Sequence, residues 1–181
     1  MTIRQQLWEI AADQYGYVTT SDAAELGIAV IELGKLAHRG KLERVHYGIY
    51  RLPEIPVSDL DPYMLAVLWA GGRGHLSHDT VLSLRRLCDV NPVKIHLTVP
   101  TNYEPRRKGG ELYRVHQQDL THDEIDYFEG IPAVSITTAI AQALTTLPHR
   151  LTKQASDNAA AAGLISADYH DHVLGRLQDN A

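Results

Sequence analysis

The stretch that most constrains this chain runs from Gly16 to Leu52, GYVTTSDAAELGIAVIELGKLAHRGKLERVHYGIYRL. Thr19 and Thr20 stand where a side-chain oxygen can accept from the orphan amides of a helix's first turn. With Thr20 as the cap, Ser21 to Leu26 reads as a short helix. Gly27 ends it, because a left-handed residue at a helix end costs little only without a Cβ. A second helix is expected from Ala29 to Arg39, closed by Gly40 in the same way. Two extended runs follow, Leu42 to Val45 and Gly48 to Leu52, with His46-Tyr47-Gly48 as the hairpin turn between them. Helix, glycine turn, helix and hairpin in this order predict the second half of a winged helix-turn-helix.

The second helix is the candidate recognition helix. At about 100° per residue, Val30, Leu33, Leu36 and Ala37 fall on one side. Ile31, Glu32, Lys35, His38 and Arg39 fall on the other. From Lys35 to Arg51 there are five Lys/Arg and one Glu, a local charge of +4 in a chain whose net charge is −5. DNA contact must therefore come from this patch, with acidic surface turned away. The residues expected to meet DNA are Thr20 and Ser21 at the helix entry and Ile31, Lys35 and Arg39 in the major groove. Lys41, Arg44, His46 and Arg51 are the expected contacts of the hairpin. Arg106, Arg107 and Lys108 form a second basic cluster, read as a solvated loop tip or an additional phosphate contact.

Five words of the sequence resemble the AbiEi family: GYVTTSDAAELGI, LGKLAHRGKLERVHYGIYRL, LSHDTVLSLRRL, KIHLTVP and GIPAVSITTAIAQAL. That family consists of bacterial antitoxins that also act as transcriptional autorepressors of AbiE-type toxin–antitoxin operons. The resemblance extends over nearly the whole chain, and its N-terminal part is also similar to winged helices joined to other C-terminal domains. It implies operator DNA as a partner, with a homodimer on DNA as a possible form. It further implies a nucleotidyltransferase-like toxin to be counteracted, with the antidote role lying mainly in the C-terminal part. A protein-binding adaptor, using the same winged helix and the following domain without DNA, is the alternative. The basic patch argues against it.

The rest of the chain reads as an α+β protein. An N-terminal helix from Ile3 to Gln14 carries Ile3, Leu7, Ile10 and Ala11 on one stripe and closes the winged-helix core. Pro53-Glu54-Ile55-Pro56 is the expected linker, since two prolines in four residues cannot continue a ladder. The expected division is thus residues 1–52 as winged helix-turn-helix, 53–56 as linker and 57–181 as a mixed α/β domain. That second domain should hold helices from Tyr63 to Ala70 and from His78 to Cys88, the latter capped by Ser77. Its clearest strand is Val93 to Val99, with a second at Leu112 to His116 pairing across the intervening loop. Weaker strands are expected at Glu124 to Phe128 and Ile131 to Ser135. Three helices close the chain: one capped by Thr137 or Thr138, then Leu151 to Ala162 and Ser166 to Leu177.

Several chemistries find no support. The single cysteine, Cys88, excludes an intramolecular disulfide and a cysteine-based zinc cluster. Gly71-Gly72-Arg73-Gly74 lacks the Lys-Ser/Thr ending of a phosphate loop and reads as a turn. Ten histidines invite a metal reading, but His75 with His78, and His170 with His172, come as pairs without a third ligand. No metal and no cofactor are expected. None of the five lysines follows an acid by two positions, which removes the restriction-type nuclease pattern. No nucleophile–base pair can be drawn from spacing either, so the chain is read as no enzyme. Without a signal peptide or an apolar run of membrane-spanning length, a cytoplasmic protein is expected, with no membrane partner.

Overall fold

A computed structural model describes residues 1–179 and resolves two compact units. Unit 1 comprises residues 1–73 together with 105–109; unit 2 comprises 74–104 and the chain from 110 onward.

Unit 1 has the element order of a winged helix. Helix α1 (Ile3–Asp13) is followed by strand β1 (Tyr17–Thr19), helix α2 (Thr20–Glu25), helix α3 (Val30–His38) and the hairpin β2 (Glu43–His46) and β3 (Ile49–Arg51). The three strands form an antiparallel sheet in the order β1-β3-β2. Strand β1 gains its partner from β3, where Thr19 pairs with Ile49 and Tyr17 with Arg51, too far along the chain for any local signal. Leu7 and Ala11 of α1, Val18, Ala23, Ile28, Leu33 and Leu52 close over one core. Burying such side chains contributes about 1.5–3 kcal/mol each for the larger ones.

Three local expectations are corrected in this unit. The cap of α2 is Thr19, not Thr20. Thr19 Oγ1 accepts from the Asp22 amide at 3.1 Å, and the Asp22 carboxylate accepts in return from the Thr19 amide, a complete capping box. Thr20 is the first helical residue, and its amide donates to the Gly48 carbonyl at 3.0 Å. Val30, expected in the core, is half exposed (50%) because it opens α3 rather than lying one turn inside it. The stretch Pro53 to Pro56 falls inside unit 1, since that unit continues through helix α4 (Asp61–Trp69). An Arg51 amino group donates to the Ile55 carbonyl at 2.7 Å and pins this stretch.

Unit 2 is built on a five-stranded mixed sheet in the order β6-β5-β4-β8-β7. Its strands are β4 (His75–Leu76), β5 (Ile95–Val99), β6 (Tyr113–Gln117), β7 (Ile125–Phe128) and β8 (Ile131–Val134). The expected strands are all present, three with shorter bounds and β6 shifted by one residue, and β4 is additional. β6 runs parallel to β5, with Ile95 beside Tyr113 and Val99 beside Gln117. A parallel pair needs the long connection that residues 100–112 supply. Helix α5 (His78–Leu84) packs on β5 and on α6 (Ile136–Thr146), and α7 (His149–Ala161) and α8 (Ala167–Asp179) pack with α6.

Here too the ends differ from the sequence reading. α5 stops at Leu84 rather than Cys88, and Arg86 takes a left-handed φ of 55°. Cys88 therefore lies beyond the helix, buried and free, with burial pushing its thiol up to about 11. Ser77 occupies the cap position of α5, but its hydroxyl lies 2.9 Å from His78 Nδ1 and caps no amide. Ser135, not Thr137 or Thr138, caps α6 by accepting from the Thr138 amide. Arg85 donates to Asp126 at 2.8 Å and ties the end of α5 to the β7–β8 hairpin.

Candidate nucleic-acid interface

α3 turns Leu33 inward and leaves a continuous outer face. Ile31 is 66% exposed, and Lys35, His38 and Arg39 are exposed beside it. Lys35 Nζ donates to Glu32 Oε1 at 2.7 Å, so the central cation of the helix is paired in the free protein. Ser21 is exposed at the start of α2, while Thr20 is half-buried against the hairpin turn. A Cβ on Gly48 would stand 3.0 Å from Thr20 Oγ1, and Gly48 has φ +72°, so glycine is required there on both counts.

The hairpin projects as a wing. Tyr47 at its tip is 78% exposed, and the Arg44 guanidinium sits 5.6 Å from the Tyr47 ring centroid. The pair presents a cation and an aromatic face together, an arrangement that suits both phosphate contact and base stacking. Tyr47 was missed among the candidate contacts because the sequence shows only its place in a turn. Its neighbours in space, not in period, give it a role. Lys41 is exposed before the wing.

Two of the expected contacts face elsewhere. Arg51 is only 7% exposed. Its amino group lies 3.3 Å from the Asp61 carboxylate, and it donates to the carbonyls of Leu52 and Ile55. It is a tie between β3 and α4, not a contact of the wing. His46 is half-buried under Gly109: a Cβ at Gly109 would lie 2.7 Å from His46 Cε1. Of the second basic cluster, Arg107 donates to the Leu68 carbonyl at 2.8 Å, and the Lys108 carbonyl accepts from Trp69 Nε1 at 2.9 Å. Arg106 and the Lys108 side chain remain exposed. The basic face of α3 and the wing is therefore Lys35, Arg39, Lys41 and Arg44, with Glu32 and Glu43 among them.

The histidine pairs read from the sequence do not form a site. His170 Nδ1 lies 2.8 Å from Ser156 Oγ, with Asp157 on its other nitrogen at 3.4 Å. His78 instead meets His96 and His116, which no spacing announced. No described helix is long and apolar enough to cross a membrane.

Residues 5–53 match a family model described as transcriptional regulator, AbiEi antitoxin. The resemblance read from the sequence is borne out over that segment, and the family is one of transcriptional regulators. No curated protein matches the chain at a significant level. Among solved structures, the crystal structure of the RV2827C protein from Mycobacterium tuberculosis superposes with a TM-score of 0.55 at 15% identity, covering 93% of this chain and 69% of that one. At that identity the likeness is one of fold, and it bears out an α+β chain with an N-terminal winged helix.

Proposed function

We propose that the chain, whose residues 5–53 match a family model of AbiEi-type transcriptional regulators, is a DNA-binding antitoxin that represses its own operon and counteracts a nucleotidyltransferase-like toxin. The observation that carries the DNA half is the joint exposure of Ile31, Lys35 and Arg39 on α3 beside Arg44 and Tyr47 on the wing. In this motif the second helix enters the major groove and its side chains meet base edges. Lys35 and Arg39 supply donors for guanine acceptors, and Ile31 an apolar surface for a thymine methyl. Arg44 and Lys41 neutralise phosphates. The antidote role is assigned to the α/β unit, in keeping with the family resemblance.

The test is a titration of the full chain against its own promoter and a scrambled duplex over a range of salt. Specific binding that weakens linearly with log salt is expected. No binding to either duplex would favour the protein-binding adaptor. Co-expression with a nucleotidyltransferase-like toxin from a neighbouring reading frame, scored by growth, tests the antidote half. Toxicity undiminished by the full chain would sink that half alone.

A further inference from the structure

Unit 2 gathers three imidazoles for which the winged-helix reading has no use. His78 opens α5, His96 lies on β5 and His116 on β6. One ring nitrogen from each lies within 4.8 Å of the other two. His78 and His96 are buried, and His116 is half-buried. The parallel register sets His96 beside Arg114 and Thr98 beside His116. His96 and His116 therefore rise from the same face of the sheet, one pair apart.

The spacing suits metal ligation. His96 Nδ1 and His116 Nε2 are 3.2 Å apart. Two imidazole nitrogens bound tetrahedrally at about 2.0–2.1 Å to a zinc-class ion stand roughly 3.3 Å apart. The outward nitrogens already have partners. Ser77 Oγ is 2.9 Å from His78 Nδ1, which leaves Nε2 as the donor of that ring. The Asp79 carboxylate is 3.9 Å from His96 Nε2, on the nitrogen that does not face His116. A carboxylate behind an imidazole is the arrangement that orients metal-bound histidines and raises their basicity.

The backbone beneath two of these rings is tied to side chains of the same unit. The His78 amide donates to Gln142 Oε1 at 3.1 Å, and the His96 amide donates to Thr80 Oγ1 at 2.9 Å. Gln142 in turn donates to Thr98 and Gln118. His78 is held at φ +50°, a conformation that non-glycine residues adopt at a cost and that gathers at functional positions. Burial pushes His78 down to about 3 and His116 to about 4, and lowers His96 as well. The His78 and His116 rings stack at 3.7 Å, so an ion held by all three requires His78 to fan out of that stack.

We propose that His78, His96 and His116 form a binding site for a borderline divalent transition-metal ion of the zinc class, with water in the fourth position. Imidazole donors suit such ions, whereas magnesium and calcium take oxygen ligands. The site lies within unit 2 and stands independently of the DNA reading.

The full chain, stripped with a chelator and titrated near pH 7, is expected to bind one Zn²⁺ per chain. Co²⁺ in its place should give the visible absorption of a low-coordinate nitrogen site. His116→Gln and His96→Gln should each weaken Zn²⁺ binding by at least about 10-fold, in line with the loss of a ligand or its support. His122→Gln and His172→Gln, both exposed, should leave it unchanged. Binding that survives His116→Gln and His96→Gln, or falls with His172→Gln, overturns the proposal. Should either buried variant unfold by circular dichroism, the wild-type chain decides the matter through its histidine nitrogen resonances. Those of His78, His96 and His116 must move together up to one equivalent of Zn²⁺, and an absence of stoichiometric shifts overturns the site.

Discussion

The guanidinium of Arg51 and the carboxylate of Asp61 lie 3.3 Å apart, both buried, and join the last strand of the wing to the first turn of α4. Asp61 also accepts from the amide and hydroxyl of Ser58 at 3.0 and 2.8 Å. Removing one partner strands the other charge out of water, which costs about 3–5 kcal/mol. Arg51→Ala should therefore lower the urea midpoint of unit 1 strongly. Arg51→Met combined with Asp61→Leu should recover part of the loss, because replacing both ions with apolar groups is far less costly than breaking the pair. Near-native stability of Arg51→Ala, with a reduced salt dependence of DNA binding, would return Arg51 to the interface.

Glu32 holds Lys35 in the free protein. Removing that acceptor should free the cation and remove a repulsive charge from the face offered to phosphate. Glu32→Gln is expected to tighten binding to random DNA and to steepen its salt slope. Lys35→Ala should cost about 1–3 kcal/mol on the true operator and less on a scrambled duplex. Equal losses on the two duplexes would make Lys35 a phosphate contact.

On the wing, Arg44→Ala should weaken binding to all sequences and lower the salt slope by about one unit. Tyr47→Ala should weaken binding with the slope preserved, since the ring carries no charge. Anisotropy titrations at several salt concentrations separate the two outcomes, and an unchanged slope for Arg44→Ala removes that residue from the interface.

The capping box of α2 gives a stability prediction free of DNA. Thr19→Ala should destabilise unit 1 by about 1 kcal/mol, since it removes an acceptor from the Asp22 amide. Thr20→Ala should cost less in a thermal melt. The reverse ranking would place the cap one residue later.

The winged helix was legible because its signals are local: glycines after each helix, an apolar stripe on α1, and a hairpin of basic and apolar residues. Where the sequence misled, the missing term was a partner distant along the chain. Arg51 reads as one more wing cation until Asp61 is seen beneath it, and two prolines between them suggested a boundary. Thr19 and Thr20 are equivalent by residue type, and only the reciprocal bond to Asp22 separates them. His78, His96 and His116 share no motif. Their meeting depends on the parallel register of β5 and β6 and on the left-handed turn into α5, neither of which a periodicity expresses. Arg107 looked like a solvated charge because its acceptor, the Leu68 carbonyl, comes from elsewhere in the sequence.

Residues 105–109 complete unit 1 from a distance in sequence. Their carbonyl and guanidinium serve Trp69 and Leu68, and Gly109 lies over His46. The winged-helix unit is consequently not a contiguous gene segment. An expression fragment ending at residue 73 would keep every helix of the winged motif while stripping this clasp, leaving an indole and a carbonyl without their native partners. Grafting the head onto another effector by a single crossover would carry the same defect. A transplant that respects the fold has to bring the clasp along, or replace His46, Trp69 and the Leu68 neighbourhood with residues content in water.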